Sequence, residues 1–146
     1  MRIYSIGYEG ATQAAVIAAL QGAGVTLLAD VRAVPLSRRP GFSKNVLAAG
    51  LREAGIEYLG LKALGTPPEG REAARKHDRA TLAAVYARQL ELPEAALQAA
   101  QLAAVAAEQP TALLCFEREP GGCHRSLLIE WALPGAEAVH LFTEQG

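Results

Sequence analysis

The sequence predicts an α/β fold, a Rossmann-like three-layer sandwich with a mostly parallel sheet of about five strands. Three observations predict it. Apolar, strand-like runs alternate with helical stretches along the chain. No two of these runs are joined by a tight turn, so each connection has room for a crossover helix. One run, Val25 to Val31, is apolar at nearly every position, as a strand covered on both faces must be.

The elements follow in order. Ile3 to Ile6 reads as a first strand, ended by Gly7-Tyr8-Glu9-Gly10. Thr12 is an N-cap candidate for a helix to about Ala23, and Gly24 suits its C-terminal stop. After the second strand, Arg32 to Ser43 has neither helical nor strand period and is stiffened by Pro35 and Pro40. A helix from Lys44 to about Ala54 leads to a short strand, Ile56 to Leu59. The segment from Gly60 to His77 is rich in Gly, Pro and charge and reads as a mobile loop. Two alanine-rich helices follow, Asp78 to Leu90 and Pro93 to Glu108. Thr111 to Phe116 is a fourth strand, a helix begins at Cys123, and Ala138 to Phe142 closes the series.

The 146 residues are read as one domain, residues 1–146, of ordinary globular balance, with 51% apolar and 20% charged residues. A net charge of -1 offers no overall field toward nucleic acid or a membrane surface, so any anion recognition must be local. The opening residues contain no long apolar stretch, and a cytoplasmic location is expected. In that compartment the two cysteines, Cys115 and Cys123, should be reduced: the first buried in a strand, the second exposed and reactive.

In parallel sheets ligands bind beyond the carboxyl ends of the strands. The residues there are Gly7 and Tyr8 after the first strand, then Asp30, Arg32, Ser37 and Arg38 after the second. Glu117, Cys123, His124 and Arg125 follow the fourth. Asp30 interrupts an apolar run, and a buried carboxylate needs a partner or donors. It reads either as a general base or as a structural ion pair bracing the loop. Arg32, Arg38, Arg39 and Lys44, with no acidic residue between them, suit a phosphate or nucleotide, and a solvated surface loop is the plainer alternative. Cys123 stands where a helix N-terminus would lower a thiol pKa, with Glu117 as a nearby acid or base. His124 reads as well as a loop-pinning residue as it does a base, because neighbours on a helix diverge by about 100 degrees. Tyr8 and Phe42 could flank a flat ligand, with hydrophobic cover the default for both.

Neither a P-loop nor a dinucleotide fingerprint is present, and no arginine stands six residues beyond either cysteine, as a phosphatase-type loop requires. No cofactor and no metal are expected, a site on Cys123, His124 and a carboxylate being the weakest of the readings weighed.

Several motifs taken together resemble a known family: Ser5-Ile6-Gly7-Tyr8, Asp30-Val31-Arg32 with Pro35 and Ser37-Arg38, Leu64-Gly65, Cys115-Phe116-Glu117 and Cys123-His124-Arg125. Their order and spacing resemble the domain of unknown function 488 family (DUF488) over nearly the whole chain. The resemblance implies a compact bacterial α/β domain and brings no established reaction with it. Gly65-Thr66-Pro67-Pro68 departs from the glycine-richer form expected after Leu64.

The favoured reading is an enzyme acting on a small phosphorylated or nucleotide-like substrate. Asp30, Glu117 and Cys123 would be catalytic, and Gly7, Tyr8, Arg32, Ser37, Arg38, His124 and Arg125 would bind the anion. The alternative is a non-catalytic nucleotide- or nucleic-acid-binding module that works with a partner protein. The basic loop alone offers too little area for a nucleic-acid face. No membrane association is expected.

Overall fold

The computed structural model describes residues 1–144. Its strands are β1 (Arg2–Gly7), β2 (Leu27–Asp30), β3 (Glu57–Gly60), β4 (Thr111–Cys115) and β5 (Glu137–Leu141). They form one sheet in the order β3-β2-β4-β1-β5, and every neighbouring pair is parallel. The helices are α1 (Gln13–Gly22), α2 (Lys44–Glu53), α3 (Pro68–Arg75), α4 (Arg79–Leu90), α5 (Pro93–Glu108) and α6 (Arg125–Ala132). This is the α/β sandwich that the alternation of elements predicts.

Side chains along a strand point to opposite faces, and the two central strands divide their residues accordingly. Leu28 of β2 and Ala112 and Leu114 of β4 pack with Val16, Leu20, Leu47 and Leu51 of α1 and α2. Leu27 and Ala29 of β2 and Leu113 of β4 face the other way, onto Tyr86, Leu102 and Leu128 of α4, α5 and α6. The chain therefore leaves β1 and β2 toward one face and β4 toward the other. A crevice opens between diverging connections of this kind, here over the carboxyl ends of β2, β4 and β1.

Local chemistry sets the helix ends. The Thr12 side chain accepts from the Ala15 N–H at 3.1 Å, and Asp78 accepts from Thr81 in the same way at the start of α4. Gly24 takes the left-handed conformation past α1, with φ 76°.

Two expectations are corrected. The segment read as a mobile loop, Gly60 to His77, contains a 3-10 turn (Lys62–Leu64) and α3. Ala73 and Ala74 of α3 pack with Leu82 of α4, so a short amphipathic stretch became helical through a tertiary contact that Gly and Pro content concealed. His77 ends α3 at φ 57°, where the His77 and Asp78 N–H groups cap the Ala74 and Ala73 carbonyls. In addition, α6 begins at Arg125 and leaves Cys123 extended, with φ -137° and ψ -172°.

Leu113 is fully buried at the centre of the sheet. Leu113→Ala is expected to cost about 2–5 kcal/mol of stability, read from denaturant unfolding with an unchanged m-value.

Candidate functional site

Two buried arginines organise the strand ends. At the end of β2, Asp30 is 1% exposed and accepts the Arg32 guanidinium in a two-pronged pair, Nε to Oδ1 at 2.8 Å and Nη2 to Oδ2 at 2.6 Å. The Arg32 backbone N–H also donates to Asp30 Oδ1, and the Tyr58 hydroxyl of β3 donates to Oδ2 at 2.6 Å. Burial, and the hydrogen bond to Asp30, push the Tyr58 hydroxyl above its ordinary range, so it remains a donor. The remaining reach of Arg32 goes to the Phe42 carbonyl at 2.7 Å and the Tyr8 hydroxyl at 3.2 Å. Arg32 thereby ties the proline-stiffened loop to the sheet.

Arg125, at the first position of α6, is fully buried. Its Nε donates to Cys123 Sγ at 3.0 Å, Nη1 to Ser5 Oγ at 3.2 Å, and Nη2 to the Glu117 and Arg118 carbonyls at 2.7 and 3.3 Å. No carboxylate among the described residues forms an ion pair with it. A buried guanidinium cannot shed its proton, so it calls for an anion, and the Cys123 sulfur is the group in contact that can become one.

The surroundings of Cys123 agree. Burial alone would push its thiol up. Hydrogen bonds from Cys115 and His124 and the charge of Arg125 more than offset this and hold the thiol well below its usual range. The Arg125 backbone N–H points at the same sulfur from 3.4 Å. Cys115 lies 2.7 Å from Cys123, sulfur to sulfur, and its own thiol is pushed up by burial and by its bond to Cys123. Of the two, Cys115 therefore keeps the proton and donates it to a Cys123 thiolate. On the far side of Arg125, burial holds His140 below its ordinary range, and its Nδ1 accepts from the Ser5 hydroxyl at 2.5 Å.

Cys115 and Cys123 both line a cavity of about 650 Å³ over the strand ends. Its wall also includes Glu117, Phe116, Thr66, Arg38 and Arg71. Glu117 is half-buried, and burial together with the Cys123 charge pushes its carboxyl up. A second cavity of about 740 Å³ adjoins the first across Phe116 and Glu117 and is lined by α3, α4 and the loop after β4. Cys115, Glu117 and Cys123 bring three donor atoms within 4.8 Å of one another, the chemistry of a soft-metal site. The Arg125 cation, 3.0 Å from one of those sulfurs, already neutralises it and opposes a dication there.

The other sequence-derived residues take distinct places. Tyr8 stacks on Phe42 with ring centroids 4.4 Å apart, so the two rings cover each other instead of flanking an open slot. Gly7 lets the chain pass the loop after β4: a Cβ there would lie 1.7 Å from the Glu117 carbonyl oxygen. Ser37 braces its loop, accepting from the Arg39 N–H and exchanging bonds with Ser43. His124 donates from Nε2 to the Val31 carbonyl at 2.8 Å and pins the Arg32 loop to α6. It also reaches the thiol, because Cys123 is extended and the angular argument for helix neighbours does not apply. Arg38 is exposed at the rim. Cys123 is not exposed as expected: both sulfurs belong to residues that are 1% accessible. Tyr58, Ser5, His140 and Arg71 were not among the candidate site residues. Ser5 alone carried a signal in the sequence, as a polar residue inside an apolar strand.

Fold and site together define a parallel α/β domain with a buried dithiol and a strand-end cavity. The chain matches the family described as domain of unknown function DUF488 over residues 12–132, and it belongs to that family. Comparison with curated proteins and with solved structures finds no match. Among the described residues no helix is long and apolar enough to cross a membrane.

Two outcomes are expected. Asp30→Asn leaves the Arg32 charge buried without its partner and should lose about 3–5 kcal/mol in denaturant unfolding, against less for Tyr58→Phe. Cys123→Ala should also destabilise, with a defined pH dependence. The folded-state pKa of Cys123 lies below the unfolded value, so its contribution is complete above about pH 8.5 and is lost as pH falls through the folded pKa. The stability gap between wild type and Cys123→Ala, measured under reducing conditions, should therefore narrow toward acid pH.

Proposed function

We propose that this domain is an enzyme that acts on a small phosphorylated or nucleotide-like substrate, using Cys123 as the nucleophile. The observation that carries the reading is the position of Cys123, which lines the cavity and whose sulfur lies against the buried Arg125 cation. A thiolate so held is a ready nucleophile at neutral pH. Arg38 and Arg71, on the same wall, hold the anionic group of the substrate. Asp30, Arg32 and Arg125 keep the wall in shape, and Tyr8 and His124 fix the loops that carry it.

The chemistry divides between sulfur and carboxyl. The Cys123 sulfur bonds to the electrophilic centre as the bond to the leaving oxygen breaks, and Glu117 gives that oxygen its proton. Glu117, now a carboxylate, takes a proton from the water that hydrolyses the thio-intermediate. The raised pKa of Glu117 suits a general acid. On this reading the protein works in a bacterial cytoplasm, whose reducing thiol pool keeps both cysteines free.

The test is a thermal-shift screen against nucleotides, sugar phosphates and simple oxyanions. A bound anion should raise the melting temperature of wild type, and Arg38→Ala with Arg71→Ala should abolish the shift. Turnover of the ligand so found should disappear in Cys123→Ser. A shift that survives with both arginines removed would exclude this placement of the anion. Turnover that survives in Cys123→Ser would exclude the nucleophile.

A further inference from the structure

The proposed nucleophile leaves Cys115 without a chemical step, yet its sulfur lies 2.7 Å from that of Cys123. Cys115 ends β4, Cys123 precedes α6, and the loop between them carries Pro120, Gly121 and Gly122. A Cβ at Gly122 would meet nothing within 4 Å, and one at Gly121 only the tip of Arg79, so neither glycine is packed against the body of the fold. Both cysteines line the same cavity and are free thiols.

We propose that Cys123 and Cys115 are a two-electron redox pair that reduces a small hydroperoxide entering the strand-end cavity, with Cys123 as the attacking sulfur and Cys115 as the resolving one. This rests on the reading of Cys123 as a thiolate. The Cys123 sulfur attacks the outer peroxide oxygen and the O–O bond breaks. The departing alkoxide or hydroxide takes a proton from Glu117, leaving a sulfenic acid on Cys123. The Cys115 sulfur then displaces the sulfenic hydroxyl, giving up its proton to it. The products are one alcohol or water from the peroxide, one further water and an intramolecular disulfide. The peroxide gains the two electrons that the sulfurs lose, and an external thiol returns them.

Arg125 sets the direction of this cycle. Its guanidinium donates to the Cys123 sulfur at 3.0 Å before reaction and favours the thiolate there. Disulfide formation removes the anion that Arg125 contacts, whereas reduction restores it. A couple whose reduced form is stabilised in this way is easily reduced. A monothiol should therefore reopen the disulfide, as it does not readily do for a structural one.

The test uses the full chain with hydrogen peroxide and no substrate. An equimolar amount of peroxide should remove both titratable thiols from wild type and lower its mass by two hydrogen atoms, without dimers. A monothiol should reverse the change. Cys115→Ser should stop at the sulfenic acid, captured on Cys123 by dimedone. Capture of wild-type Cys123 by dimedone while Cys115 stays a free thiol would overturn the pair, and so would disulfide-linked dimers. Iodoacetamide separates this inference from the one beneath it. Rapid alkylation of Cys123 at neutral pH without disulfide formation would sink the redox pair and leave the nucleophile standing. Slow alkylation together with no disulfide would sink both.

Discussion

A guanidinium buried without a carboxylate is an electrostatic liability, and the strand-end face of this protein is arranged around one. Arg125 sits at the start of α6 with donors aimed at β1 through Ser5, at the loop after β4 through two carbonyls, and at Cys123. Each contact fixes a different element to the helix. The carbonyls and the hydroxyl solvate the cation, but none of them carries charge. The neutralising role falls to a sulfur whose thiol is held low by hydrogen bonds from Cys115 and His124 together with the charge of the cation itself. Structure and reactivity are one interaction in this site: the thiolate stabilises the fold, and the fold keeps the thiolate.

Arg32 shows the contrasting solution. It is nearly as buried, but it meets a full carboxylate in two-pronged geometry, and Asp30 is further satisfied by Tyr58. Charge and hydrogen-bonding capacity are both used up, and the arrangement is a brace. Between the two arginines runs His124, whose bond to Val31 joins the end of β2 to the start of α6. The brace thus lies beside the two cysteines without an ion pair to either.

The crevice follows from topology. Connections that leave β1 and β2 for one face and β4 for the other cannot meet over the strand ends, and the space between them is closed from above by α3 and α4. Ala74 and Leu82, which hold α3 against α4, also stand on the cavity wall. The packing that turns a Pro- and Gly-rich segment into a helix is therefore the same packing that shapes the site.

The sequence by itself determined the class of fold and the sheet edge on which the candidate site lies. Period, capping residues and the apolar run through β2 are local signals, so helices such as α5 and the strand-to-loop boundary at Asp30 were legible to within a residue or two. Asp30, Arg32 and Glu117 could be picked out because a polar residue at the end of an apolar strand is conspicuous, and Cys123 because it stands beside an expected helix start. Only the tertiary structure decided how those residues divide. Arg32 and Arg125 look alike in the chain as cations beside a strand end. One meets Asp30 two residues away. The other meets Ser5, 120 residues distant, and a cysteine whose partner Cys115 reads as core packing in isolation. Tyr58, Ser5 and His140 joined the arrangement because the order β3-β2-β4-β1-β5 sets them beside it. Strand order is fixed by which faces must be covered, a property of the whole chain that no local window carries.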